Sequence, residues 1–75
     1  MAYKDVKMTE IDSSNAHSVG YDKKKKELFV QFRGGAVYMY SDVPESIFIA
    51  LKEAESFGSM LNAKVKGVYK FTKLA

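Results

Sequence analysis

Apolar and polar positions along the chain change their period midway, from two to that of a helix. From Ala16 to Tyr21 they alternate, with His17, Val19 and Tyr21 on one face and Ser18 and Gly20 on the other, which predicts a strand. A short strand starting near Met8 precedes it, and Ile11-Asp12-Ser13-Ser14-Asn15 forms the turn between them, because Asp, Ser and Asn side chains bond locally to the backbone. Asp22 and Lys23 to Lys26 make a polar turn into Glu27-Leu28-Phe29-Val30-Gln31-Phe32, a run rich in aliphatic and aromatic residues and the clearest strand in the chain.

Arg33-Gly34-Gly35 then turns the chain into Ala36-Val37-Tyr38-Met39-Tyr40-Ser41. A three-residue loop with glycine in the left-handed conformation sets Phe32 opposite Ala36, Val30 opposite Tyr38 and Leu28 opposite Tyr40. Leu28, Val30, Phe32, Tyr38 and Tyr40 then share the core face, and Phe29, Gln31, Val37 and Met39 share the other. A two-residue Gly34-Gly35 turn would move the tyrosines to the opposite side; the three-residue loop is preferred.

Asp42-Val43-Pro44-Glu45 marks a helix start, with Asp42 as cap, Glu45 three residues on and Pro44 in the first turn. Ile47, Phe48, Leu51 and Ala54 follow at helical spacing. Ser56-Phe57-Gly58 interrupts the helix, Ser56 or Ser59 caps the next, and Met60, Leu61, Val65 and Val68 fit a second, shorter one. Residues from Tyr69 onward are expected to trail away as an extended tail. The pattern predicts an α+β domain: a small antiparallel sheet of three to four strands, followed by one or two C-terminal helices on one face.

Length and composition narrow the function. The chain has 75 residues, 47% hydrophobic and 28% charged, which is the balance of a globular domain, and residues 1–75 are read as one domain. A domain of this size buries only about 60% of its unfolded surface, so its five Tyr and five Phe must supply much of the core. That leaves little for an elaborate catalytic pocket and favours a binding module. The absence of cysteine excludes disulfides and thiolate chemistry. No run of about 18 apolar residues predicts a membrane span, and Met1-Ala2-Tyr3-Lys4-Asp5 lacks the apolar core of a signal peptide, so a cytoplasmic protein is expected.

The net charge of +3 conceals an alternation of blocks. Lys23 to Lys26 and Arg33 stand against Glu27 alone, while Asp42, Glu45, Glu53 and Glu55 outweigh Lys52. From residue 57 onward Lys64, Lys66, Lys70 and Lys73 meet no acid.

Several residue groups occur in an order that resembles the KTSC domain family. They are Ser13-Ser14, Val19-Gly20-Tyr21-Asp22, Leu28-x-Val30-x-Phe32, Tyr38-x-Tyr40, Val43-Pro44, Phe48-x-x-Leu51, Ala54-x-Ser56-x-Gly58 and Asn62-x-x-Val65-Lys66-x-x-Tyr69. The match runs from about Met8 to Tyr69. Ala16 stands where a larger aliphatic residue is usual, and Leu61 where an aromatic is common. The family is named for its occurrence at the C-terminus of some lysyl-tRNA synthetases, and it also occurs alone in small bacterial and phage proteins. The resemblance implies an accessory domain with no assigned catalytic activity, and a context of tRNA or of a partner protein.

Candidate chemistry is sparse. His17, the only histidine, could serve as a base with Ser13, Ser14 or Ser18 and with Asp12 or Asp22, but no nucleophile elbow accompanies them. No catalytic residue, metal ligand set or cofactor motif is assigned. Ser13, Ser14 and Asn62 are read as a structural polar cluster, in which Asn62 holds the serine turn or another turn in place; the functional alternative is that Asn62, Lys66 and Tyr69, close together on a helix, grip a phosphate or a backbone carbonyl. Two surfaces remain as interaction candidates. Lys64, Lys66, Lys70 and Lys73 with Tyr69 or Phe71 combine cations and aromatic rings, which suits phosphate contact and base stacking of tRNA or other RNA. Phe29, Gln31, Val37 and Met39 would form an exposed apolar sheet face for a protein partner or self-association, unless the segment from Tyr3 to Met8 folds across it.

Overall fold

The computed structural model of the chain describes residues 6–11, 13–14 and 16–74. Five strands and two helices follow one another as β1 (Thr9–Glu10), β2 (Ala16–Asp22), β3 (Glu27–Phe32), β4 (Val37–Tyr40), α1 (Glu45–Glu53), α2 (Phe57–Lys64) and β5 (Phe71–Lys73). The sheet is an antiparallel meander in the order β1-β2-β3-β4-β5, with both helices inserted before its last strand. Among the described residues no helix is long and apolar enough to cross a membrane.

Turn chemistry sets the register. At the β2–β3 hairpin, the Asp22 carboxylate accepts from the backbone N–H of Lys24 (3.0 Å) and Lys25 (3.2 Å). That Asx geometry lets a run of lysines reverse the chain into solvent. At the β3–β4 hairpin, Phe32 N–H donates to Ala36 O at 2.7 Å, and Gly34 and Gly35 have φ of +99° and +100°. Glycine has no Cβ to oppose those angles. The expected three-residue loop forms, and Leu28 pairs with Tyr40 and Val30 with Tyr38.

The main core lies between the sheet and the helices. Ala16, Val19, Leu28, Val30 and Tyr40 contribute from the sheet, Val43 from the β4–α1 connection, and Leu51, Phe57, Leu61 and Val65 from the helical half. Tyr21 fastens α1 to the sheet: its hydroxyl donates to Val43 O, and its ring stacks on Phe48 with centroids 5.3 Å apart. Burial raises the Tyr21 phenol above its ordinary value, with smaller contributions from Glu45 and Asp22.

Five expectations are corrected, four of them local. A bulge lies between Ala16 and Ser18, because Ala16 pairs with Phe32 and Ser18 with Gln31. The extra residue, His17, leaves the face of Val19 and is exposed. Asp42 does not cap α1. It sits at φ +58°, while the following Val43 is buried and donates its N–H to Lys26 O at 2.9 Å. The chain therefore becomes helical only after Pro44, which occupies the N-cap position without a side-chain cap bond. Ser56 does cap α2, accepting from Ser59 N–H. Val68 lies beyond the helix and is 61% exposed rather than part of a buried stripe. The expected tail instead closes the sheet as β5, with Tyr38 opposite Lys73, Met39 opposite Thr72 and Tyr40 opposite Phe71.

The largest correction concerns the face away from the helices. Phe29 is 0% exposed and Val37 2%, so the patch Phe29, Gln31, Val37 and Met39 is not an open apolar face. Gly20, which pairs with Phe29, shows what lies above it. A Cβ built on Gly20 would stand 2.6 Å from Met8 Sδ, 2.9 Å from Lys7 O and 2.9 Å from Val6 Cγ1. The segment 6–8 thus runs close across this face, and glycine is the residue that admits it. Tyr3 to Asp5, the rest of the expected strap, lie outside the described residues. On the same face the Ser18 hydroxyl donates to Gln31 Oε1 at 3.1 Å, which satisfies a buried hydroxyl.

Candidate nucleic-acid interface

On the helix-bearing face Tyr40 is buried, Tyr38 of β4 is half-buried and Phe71 of β5 is 59% exposed, so that face opens to solvent at its β4–β5 margin. Alternation along β5 puts Phe71 and Lys73 on the helix-bearing face, opposite Tyr40 and Tyr38. There the Phe71 ring stacks on Tyr38 at 5.4 Å with an interplanar angle of 28°, and lies 6.0 Å from Tyr40. Tyr38 in turn meets Phe32 edge to face at 5.5 Å. The result is a continuous aromatic platform of Phe32, Tyr38 and Phe71, in which Phe32 and Tyr38 are half-buried and Phe71 is 59% exposed.

Cations border the platform. Lys66, just past the end of α2, holds its ammonium 5.5 Å from the centroid of Phe32, within the range of a cation–π contact. Lys73 projects on the platform's own face from β5. Lys64 stands in the last turn of α2, where a cation complements the helix dipole. Lys70 precedes β5, and its carbonyl accepts from Ser41 N–H at 2.9 Å. All four lysines are exposed, whereas Tyr69 is half-buried against the core. Of the residues singled out in the sequence, Lys66 therefore meets the platform directly and Lys73 shares its face, opposite Tyr38. Lys64 and Lys70 bracket it along the chain, and Tyr69 acts mainly as packing. Sequence reasoning places Phe32 and Tyr38 in the core and misses them as surface. The signal available for β5 is the alternation of Tyr69, Phe71 and Lys73 with Lys70, Thr72 and Leu74.

Burial raises the Tyr40 phenol above its ordinary value, with a smaller Coulombic contribution from Tyr38. Tyr40 is thus a neutral, largely dry support beneath Phe71, while Tyr38 on the same face is half-buried.

Ser13, Ser14 and Asn62 do come together, across a polar pocket of about 320 Å³ that Ser56, Gly58 and Ser59 also line. Ser13 is engaged in the turn: its hydroxyl accepts from Ala16 N–H at 3.4 Å, and its carbonyl accepts from Arg33 Nε–H at 2.8 Å. Arg33 is thereby tied to the sheet end as a staple between the β1–β2 turn and the β3–β4 hairpin. Of the candidate partners of His17, Ser18 bonds Gln31 and Asp22 bonds the lysine turn, while Asp12 lies outside the described residues. Among the described residues no group of three or more His, Asp or Glu is placed to hold a metal ion.

Comparison with known proteins agrees with this architecture. The chain is 41% identical over 59 residues to a protein of Tsukamurella paurometabola, covering 79% of this chain and 88% of that protein. It is 38% identical over 55 residues to a lysine–tRNA ligase of Nostoc punctiforme, a match spanning 73% of this chain and 10% of the ligase. The crystal structure of a KTSC domain protein from Yersinia pestis superposes with a TM-score of 0.88 at 31% identity, covering 93% of this chain and 99% of that one. The model of the KTSC domain family matches residues 12–69. With its fold, its relatives and most of its length in agreement, the chain belongs to the KTSC domain family.

Proposed function

We propose that this domain is a non-enzymatic binding module that holds tRNA or another structured RNA on the open β4–β5 margin. One observation carries the reading: Lys66 and Lys73 flank an exposed aromatic platform, in a C-terminal stretch from residue 57 that contains no acid. Lysines supply affinity through phosphate neutralisation, and aromatic rings offer faces to bases. Lys64 and Lys70 extend the cationic border, and Tyr69 holds the segment that carries them against the core. The similarity to part of a lysine–tRNA ligase supports an RNA context, since that enzyme is named for joining lysine to tRNA. The alternative of a protein-binding or self-associating apolar sheet face loses its support, because Phe29 and Val37 are buried.

The test is the affinity of the purified protein for a labelled tRNA pool, followed by fluorescence anisotropy at about 50 and 200 mM salt. If two to four lysines neutralise phosphates, affinity falls roughly 7- to 50-fold between those salts. Replacing Lys66 and Lys73 by Ala then weakens binding and flattens the salt dependence. Absence of binding at the lower salt would overturn the proposal. Concentration-dependent mass that ignores salt would favour self-association instead.

A further inference from the structure

We infer, resting on the RNA reading, that the margin takes its ligand as an unpaired strand, with one base stacked on the solvent side of the Phe71 ring. Phe71 is the largest apolar side chain left mostly exposed among the described residues, at 59%, and it is not free to collapse. Its inner side rests on Tyr38 and Tyr40 at 5.4 and 6.0 Å, so the ring is a pre-positioned flat surface with one open side. Beside it lies a shallow hollow of about 480 Å³ lined by Gly67, Val68, Tyr69 and Lys70. Val68 is also exposed, at 61%, so the hollow pairs apolar surface with a lysine at its edge. A base entering there would extend the Tyr38–Phe71 stack by one ring, and its phosphates would lie within reach of Lys70 and Lys73.

Charge and geometry together select the occupant. An apolar peptide would gain nothing from Lys66, Lys70 and Lys73, and an acidic peptide has no need of a flat stacked ring. Nucleic acid uses both. Within a duplex, however, each base face is already covered by its neighbours, so only a splayed or single-stranded base can lie on Phe71. The site is therefore expected to take loops, ends or single strands and to discriminate against continuous duplex.

The chain contains no tryptophan, so Phe71→Trp introduces a single indole fluorophore and preserves a flat aromatic ring. Titration with a short single-stranded RNA is expected to quench that fluorescence, while the same sequence presented as a blunt duplex leaves it nearly unchanged. Phe71→Leu, which keeps apolar packing on Tyr38 but removes the ring, is expected to weaken single-strand binding by roughly 5- to 150-fold. Equal binding of strand and duplex by anisotropy, without quenching of the introduced indole, would overturn the stacking inference and leave the RNA reading standing. Failure of both RNAs to bind the unaltered protein would overturn both readings.

Discussion

Phe29 and Phe71 lie on the same sheet, one at the centre of its outer face and one at the margin of its helix-bearing face, and the molecule uses them in opposite ways. Phe29 is sealed: it sits opposite Gly20, and residues 6–8 pass close over that glycine. Phe71 is backed by two tyrosine rings and open on its other side. A simple reading of alternation suggests the reverse, an exposed outer face and a covered inner one. Two short segments invert it. The strap at 6–8 passes over Gly20, beside Phe29, on the outer face, and β5 adds an exposed strand beyond β4, which puts Phe71 on the inner face. The difference teaches that an apolar strand face becomes a surface or a core according to what crosses it, and three residues suffice to decide.

The contrast can be broken most forcefully at Phe29. Phe29→Ala is expected to cost about 3–5 kcal/mol, enough to leave so small a domain largely unfolded. Urea denaturation or the loss of dispersed NMR signals would report it, and a cost below about 1 kcal/mol would mean the face is open. Gly20→Ala tests the strap itself. The new methyl would meet Lys7 O at 2.9 Å, a backbone atom that must move, so a loss of about 1–3 kcal/mol is expected. Faster amide exchange confined to residues 6–8 would locate the damage.

The two tyrosines of β4 sharpen the comparison within one face. Burial favours the neutral phenol of Tyr40 in the fold, so its stabilising contribution is fully present below the ordinary pKa of 10.0. As pH rises above 10 the unfolded phenol ionises first, and stability falls. Stability measured against pH should therefore decline above about 10 in the unaltered protein and decline less in Tyr40→Phe. Phe71→Ala has the smallest expected effect on stability, about 1 kcal/mol or less, because it removes a stacked but mostly exposed ring. A thermal or urea transition close to that of the unaltered protein checks this.

Much of this organisation is legible in the residues. Arg33-Gly34-Gly35 defines a loop length, and loop length determines which of Leu28 to Phe32 faces Tyr38 and Tyr40. Ser56 announces the second helix. Local signals such as these act over a few residues, so they can be read along the chain. What escapes are features made by residues distant in sequence. β5 holds three residues and pairs with β4 across both helices, so its partner is not visible in its own pattern. The bulge at His17 resets the alternation without any glycine to mark it. The strap leaves only an indirect trace, a glycine at position 20 within a strand. The candidate site is legible in the same proportion. Its lysines stand out as a block without acids. Its platform does not, because Phe32 and Tyr38 alternate in step with the core residues and are half-buried against them.

The most direct test of the account is an NMR titration of the labelled protein with a short single-stranded RNA at about 50 mM salt. The account predicts shifts centred on Phe32, Tyr38, Lys66, Phe71 and Lys73, with Gly20 and Phe29 unmoved. Shifts centred on Gly20, Phe29 and Val37, or release of residues 6–8 on binding, would contradict it and return the outer face to the role of working surface.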